Sequence, residues 1–136
     1  MKKYTKEDFD KFESINGIKQ CPTGDYSLIK VFGEWCSFGE WCSFGKLCSF
    51  GERCSFGERC AILNHIINQK TVYCIHSIGE SKRCLYMWNT QDGIFFQAGC
   101  RLEKEEKFLL AVKEKYGENS QYEKAMNALK MLHMGE

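Results

Sequence analysis

The sequence predicts an α+β fold: a short parallel β-helix of five hexapeptides, then a small antiparallel sheet with two C-terminal helices. Three observations carry that reading. Residues 32–61 run FGEWCS, FGEWCS, FGKLCS, FGERCS, FGERCA without insertion, a period of six that no helix has and that suits short strands broken by regular turns. Residues 62–102 hold β-rich, alternating runs, with Asp92-Gly93 as a hairpin signal. Residues 103–136 place apolar side chains at helical spacing. At 136 residues this is one domain, or one domain with a small appendage. With 43% hydrophobic and 27% charged residues it should be soluble and globular rather than disordered. A net charge of +1, from 19 basic and 18 acidic residues, argues against a strongly basic nucleic-acid binder and against an acidic phosphate mimic.

Each segment has its own signals. Residues 1–31 read as an N-terminal capping segment. Thr5 ahead of Lys6-Glu7-Asp8 is a helix cap, and Phe9 and Phe12 share one face. Asn16-Gly17 and Pro22-Thr23-Gly24-Asp25 are turns. This wrap should cover the open end of the repeats, which would otherwise expose unpaired strand groups. Residues 32–61 are the repeats themselves. Residues 62–136 read as a three-stranded meander, over residues 71–78, 83–89 and 94–98, with two helices. The first helix spans Glu103 to Tyr116, with Phe108, Leu109, Val112 and Tyr116 on one face and Gly117 as its C-cap. Asn119 or Ser120 caps the second, whose Tyr122, Ala125, Met126, Leu129 and Leu132 should point inward.

The order within each repeat is apolar, small or acidic, two variable residues, small, and one more. It resembles that of hexapeptide-repeat proteins, whose fold is a left-handed β-helix. The resemblance implies a triangular coil of three hexapeptides per turn, with Phe and Cys inward and Gly at tight corners with positive φ. Each residue then lies over the one a full coil later: Phe32 over Phe50, Phe38 over Phe56, Cys36 over Cys54 and Cys42 over Cys60. Outside, Trp35 lies over Arg53 and Trp41 over Arg59, within cation–π reach. Phe stands where the family has Leu, Ile or Val, which implies a wider interior. Under two coils bury little, so the repeats need caps, a partner domain or other subunits.

The runs KQCPTGDYSLIKVFGEWCSFGE and DGIFFQAGCRLEKEEKF resemble segments of small proteins encoded by bacteriophages and prophages of gut-type bacteria. That resemblance covers nearly the whole chain and departs at Arg101-Leu102. It implies a phage or mobile-element origin, and it brings no catalytic residues to carry over.

Nine cysteines, an odd count, without an apolar signal segment point to the host-cell cytoplasm and free thiols. No apolar run is long enough for a membrane span. The repeat cysteines recur every sixth residue and lack C-x2-C pairs, so they read as small interior residues rather than metal ligands, and no cofactor is expected. His65, His76 and His133 fall in no catalytic motif, so an enzyme is not expected. The outer variable slot holds Trp35, Trp41, Leu47, Arg53 and Arg59, with Lys46 beside it. Trp and Arg are typical interface anchors. They would meet a foreign partner, another subunit of a homodimer or homotrimer, or the chain's own flanks. The leading expectation is a non-enzymatic, anti-CRISPR-like inhibitor that occludes a surface of a host defence protein or nuclease complex. The alternatives are an oligomeric sponge for an anionic signalling nucleotide, held by Arg53, Arg59 and Lys46, and a hexapeptide-repeat acyltransferase-like enzyme.

Overall fold

The computed structural model describes residues 1–46, 48–79, 83–99 and 101–134. The chain falls into two compact units, Met1–Val72 with Thr90–Asp92, and Tyr73–Asn89 with Gly93–Glu136. Residues 62–72, placed with the C-terminal part by the sequence reading, thus belong to the first unit. The fold is mixed α+β.

In the first unit, helix α1 (Lys6–Asp10) starts where the sequence places it. The Thr5 hydroxyl accepts the Asp8 N–H at 3.2 Å, and the Asp8 carboxylate accepts the Thr5 N–H at 2.9 Å, a reciprocal cap. Those bonds hold the Asp8 carboxyl below its ordinary pKa. Strands β1 (Ser14–Ile15) and β2 (Ile18–Cys21) form a hairpin around Asn16-Gly17, both at positive φ. Strand β2 pairs in parallel with β3 (Cys36–Phe38), and β3 in parallel with β5 (Ser55–Phe56). On another side β4 (Ser43–Phe44) pairs in parallel with β6 (Ala61–Ile62), which turns back antiparallel onto β7 (His65–Ile66).

The partners Ser37↔Ser55, Ser43↔Ala61 and Val31↔Ser49 are all eighteen residues apart, so the chain returns to the same side after three hexapeptides. The two sheets are nevertheless mixed rather than one parallel helix. The six-residue period stops after Ile62, and Leu63 and Asn64, at φ 47° and 66°, reverse the chain between β6 and β7.

Phenylalanine fills the interior in columns. Phe32 stacks on Phe50 at 4.9 Å with planes 5° apart, and Phe38 on Phe56 at 5.6 Å and 11°. Between columns the rings meet edge to face, as in Phe38–Phe44 at 4.9 Å and 90°. This alternation places the positive ring edge on the negative face wherever stacking is not imposed by the strands. A third column runs Tyr4, Tyr26, Phe44, with Tyr4–Tyr26 at 5.2 Å and Tyr26–Phe44 at 5.8 Å, and Ile62 is paired with Phe44 beyond it. Tyr26 and Ile62 stand six residues before Phe32 and six after Phe56, and act as worn first and last repeats outside residues 32–61.

The repeat glycines are a correction. Only Gly33 of the five has positive φ, and the left-handed residues are instead Trp35, Trp41, Arg53 and Arg59, at φ 57–62°. Gly51 and Gly57 answer to close approach: a Cβ on Gly51 would lie 2.7 Å from the Gly33 carbonyl carbon, and one on Gly57 2.7 Å from the Glu40 nitrogen.

The second unit has four strands where three were expected: β8 (Tyr73–Ile78), β9 (Arg83–Thr90), β10 (Gly93–Ala98) and β11 (Arg101–Lys104), in the order β11-β10-β9-β8. Residues 103 and 104, read as the start of a helix, pair antiparallel with β10, as in Phe96↔Glu103. Gly99, at φ 56°, lets the chain reverse there. Helices α2 (Glu105–Tyr116) and α3 (Gln121–Met134) follow. Gly117 closes α2 at φ 80°, and the Ser120 hydroxyl accepts the Glu123 N–H at 3.2 Å. Leu85, Met87 and Phe96 of the sheet form one core with Phe108, Val112, Tyr122, Ala125, Met126 and Leu129 of the helices. Tyr116 and Leu132, expected inward, are exposed, because each lies at the far end of its helix beyond the buried stripe.

Candidate functional site

The outer slot of the repeats is built from the turn upward. Each left-handed residue sits between a Glu and an inward Cys, so its side chain projects outward at the head of the next strand. The turns are tied to neighbouring layers, that at Trp35 on both sides. The Trp35 N–H donates to the Glu52 carbonyl at 2.9 Å, the Trp41 N–H donates to the Glu58 carbonyl at 2.9 Å, and the Trp35 carbonyl accepts the Lys19 N–H at 2.8 Å. The indoles stay open to solvent, with Trp35 43% and Trp41 53% exposed. The Arg53 guanidinium lies 5.4 Å from the Trp35 ring and that of Arg59 5.3 Å from the Trp41 ring, so the eighteen-residue stacking holds outside as well as inside. Such a pair contributes about 0.5–1 kcal/mol at an exposed site.

The two Trp–Arg pairs form separate ridges. Trp35 precedes β3 and Trp41 precedes β4, which belong to different sheets. Lys46 follows β4 and is exposed, its carbonyl accepting the Lys30 ammonium at 2.7 Å. Among the described residues it makes no hydrogen bond or ion pair with Arg53 or Arg59. Leu47 lies outside the described residues.

The five repeat cysteines point inward and are at most 1% exposed. Their thiols donate to turn carbonyls, Cys54 to Gly33 and Cys60 to Gly39, each at 3.2 Å. The hydrogen bond with Cys21, together with burial, pushes the Cys36 thiol up to about 11, and burial pushes Cys48 up to about 11. The hydrogen bond to Cys60, then burial, raises Cys42, and that to Cys36, then burial, raises Cys54. These thiols are structural. Among the described residues, no group of three His, Cys, Asp or Glu is arranged to hold a metal ion.

The histidines separate. His65 Nδ1 lies 2.7 Å from the Asp92 carboxylate, and the His133 ring meets Tyr73 edge to face at 5.7 Å. His76 lies between two thiols, Cys74 and Cys84. Sequence reasoning also missed a cavity of about 540 Å³ in the second unit. Arg83, Arg101, Lys115, Glu114, Tyr116 and Tyr122 are among its lining residues, and among the described residues the buried Tyr122 hydroxyl has no hydrogen-bond partner. These residues are scattered from 83 to 122, and no local spacing announces them.

No protein-family model, curated protein or solved structure matches this chain.

Proposed function

We propose that this chain is a non-enzymatic, phage-encoded binding protein whose repeats form a short left-handed β-helix, and that it blocks a host defence complex, of the RNA-guided nuclease type, by covering a functional surface. The observation that carries this reading is the pair of exposed indoles, each fixed by its turn and backed by an arginine. Preorganised Trp and Arg bind with little ordering penalty, because the backbone beneath each indole is already tied to the next layer through its N–H. The eighteen-residue offset and the phenylalanine columns support the coil assignment.

The test is phage plating on cells with active RNA-guided immunity. Expression of the chain should restore plating, and Trp35→Ala with Trp41→Ala should abolish the effect while the purified protein still folds and unfolds cooperatively. Restoration that ignores both indoles, or no restoration across representative nuclease types, overturns the proposal. The cationic, tyrosine-lined cavity favours a second reading, in which the chain sequesters a small anionic nucleotide. A panel of cyclic nucleotides that raises the melting temperature by several degrees in the native protein, and not in Arg83→Ala, would support it.

A further inference from the structure

Strands β8 and β9 are in step as far as Ile75↔Leu85, and pairing resumes only at Ile78↔Arg83. His76 and Ser77 therefore stand opposite one residue, Cys84. Ser77 takes φ 58°, a conformation that a residue with a side chain rarely adopts. Bulges of this kind re-aim side chains, often beside reactive groups. Here the bulge returns Ile78 to the core and leaves His76 exposed, on the same side as Cys74 and Cys84. His76 Nδ1 lies 3.0 Å from Cys84 Sγ, and Nε2 lies 3.5 Å from Cys74 Sγ.

A single metal ion takes one imidazole nitrogen, and these sulfurs sit on opposite nitrogens, so the arrangement suits proton transfer rather than chelation. Nucleophile, base and an orienting group in a row are the parts of an activated thiol. The other six described cysteines are buried, and Cys74 and Cys84 are half-buried. Arg83 precedes Cys84 along β9, and Tyr86 stands opposite Cys74.

We propose that Cys84 is a nucleophilic thiol that exchanges with low-molecular-weight disulfides, with His76 as its base and Cys74 as the positioning residue. The Cys84 S–H gives its proton to Nδ1, while Nε2–H donates to Cys74 Sγ and fixes the tautomer. Cys84 Sγ attacks one sulfur of the disulfide. A new S–S bond forms as the old one breaks, and the departing thiolate takes the proton from His76. Cys84 is oxidised to a mixed disulfide, and half of the reagent is reduced to a thiol.

The test exposes the full chain to oxidised glutathione at neutral pH, quenches with acid and maps adducts by mass spectrometry. Cys84 should be modified at least about tenfold faster than the cysteine of an unstructured peptide, and His76→Gln should remove at least about tenfold of that rate. Cys74→Ser, which keeps an acceptor, should retain more of the rate than Cys74→Ala. A wild-type Cys84 no faster than the peptide overturns the proposal without reference to any variant. So does a His76→Gln rate within about twofold of wild type in a protein that melts normally.

Discussion

Substituting Gly51 by alanine tests whether the glycines serve stacking or turning. Gly51 has no positive φ, so the turn itself tolerates a side chain. Its new Cβ, however, would lie 2.7 Å from the Gly33 carbonyl carbon and 2.8 Å from the Glu34 nitrogen. Non-bonded carbons rest at about 3.5–4.0 Å, so the layers must part by nearly an ångström, against a strand spacing of about 4.8 Å. The Gly51 N–H bond to the Gly33 carbonyl, now 2.8 Å, would then stretch to the limit of hydrogen bonding. Overpacking of this kind costs about 1–3 kcal/mol and a weakened buried hydrogen bond about 1 more. The stiffer unfolded chain returns about 0.5–1 kcal/mol, which leaves a net loss of about 1–3.5 kcal/mol.

Gly33 is the internal control. It has φ 79° and nothing within 4 Å of a built Cβ. The left-handed penalty of about 1–2 kcal/mol, less the same return, leaves about 0–1.5 kcal/mol. Urea unfolding followed by near-ultraviolet circular dichroism should therefore place Gly51→Ala about 1.5 kcal/mol below Gly33→Ala. That is roughly 6–12 °C in melting temperature for a unit of this size. If Gly33→Ala is the more damaging of the two, the turn-glycine reading is restored and the stacking argument fails.

Three further outcomes follow from the same geometry. The repeats should also hold the protein in a homodimer or homotrimer; sedimentation should show this, and a monodisperse species near 16 kDa for the native chain at tens of micromolar would refute it. A double-mutant cycle on Trp35 and Arg53 should give a coupling of about 0.5–1 kcal/mol, and no measurable coupling would mean the stacked pair is incidental. Stability should also fall as pH rises from about 9 to about 11. The folded Cys36 and Cys48 thiols sit near 11 against an ordinary 9, so unfolded thiols ionise first and draw the chain open. At about 1.4 kcal/mol per pH unit, each of these buried thiols contributes ~2–3 kcal/mol that is intact below 9 and lost through that window. A urea midpoint unchanged between pH 8 and pH 10.5 would refute it.

The repeat segment was legible because its side chains answer to position in a period. Phe at every sixth residue names the interior, and a three-hexapeptide coil places Trp35 beneath Arg53 before any coordinate is known. Thr5, Gly117 and Ser120 were equally legible, since a cap is a local hydrogen-bonding problem with few solutions. Tyr26 and Ile62 were not read as repeats, because a column accepts any large apolar group of the right register, whereas a motif shows only identical letters. The glycines were assigned the wrong cause for a similar reason: composition shows that a side chain is absent, and only the neighbouring layer shows what it would strike. Strand β11 was lost to a helical pattern because Glu103 and Lys104 suit either state, and pairing with Phe95 and Phe96 decides between them. The nine cysteines look alike in sequence. Their chemistry diverges only when stacking buries the repeat thiols and a bulge of two residues, His76 and Ser77, sets an imidazole between Cys74 and Cys84.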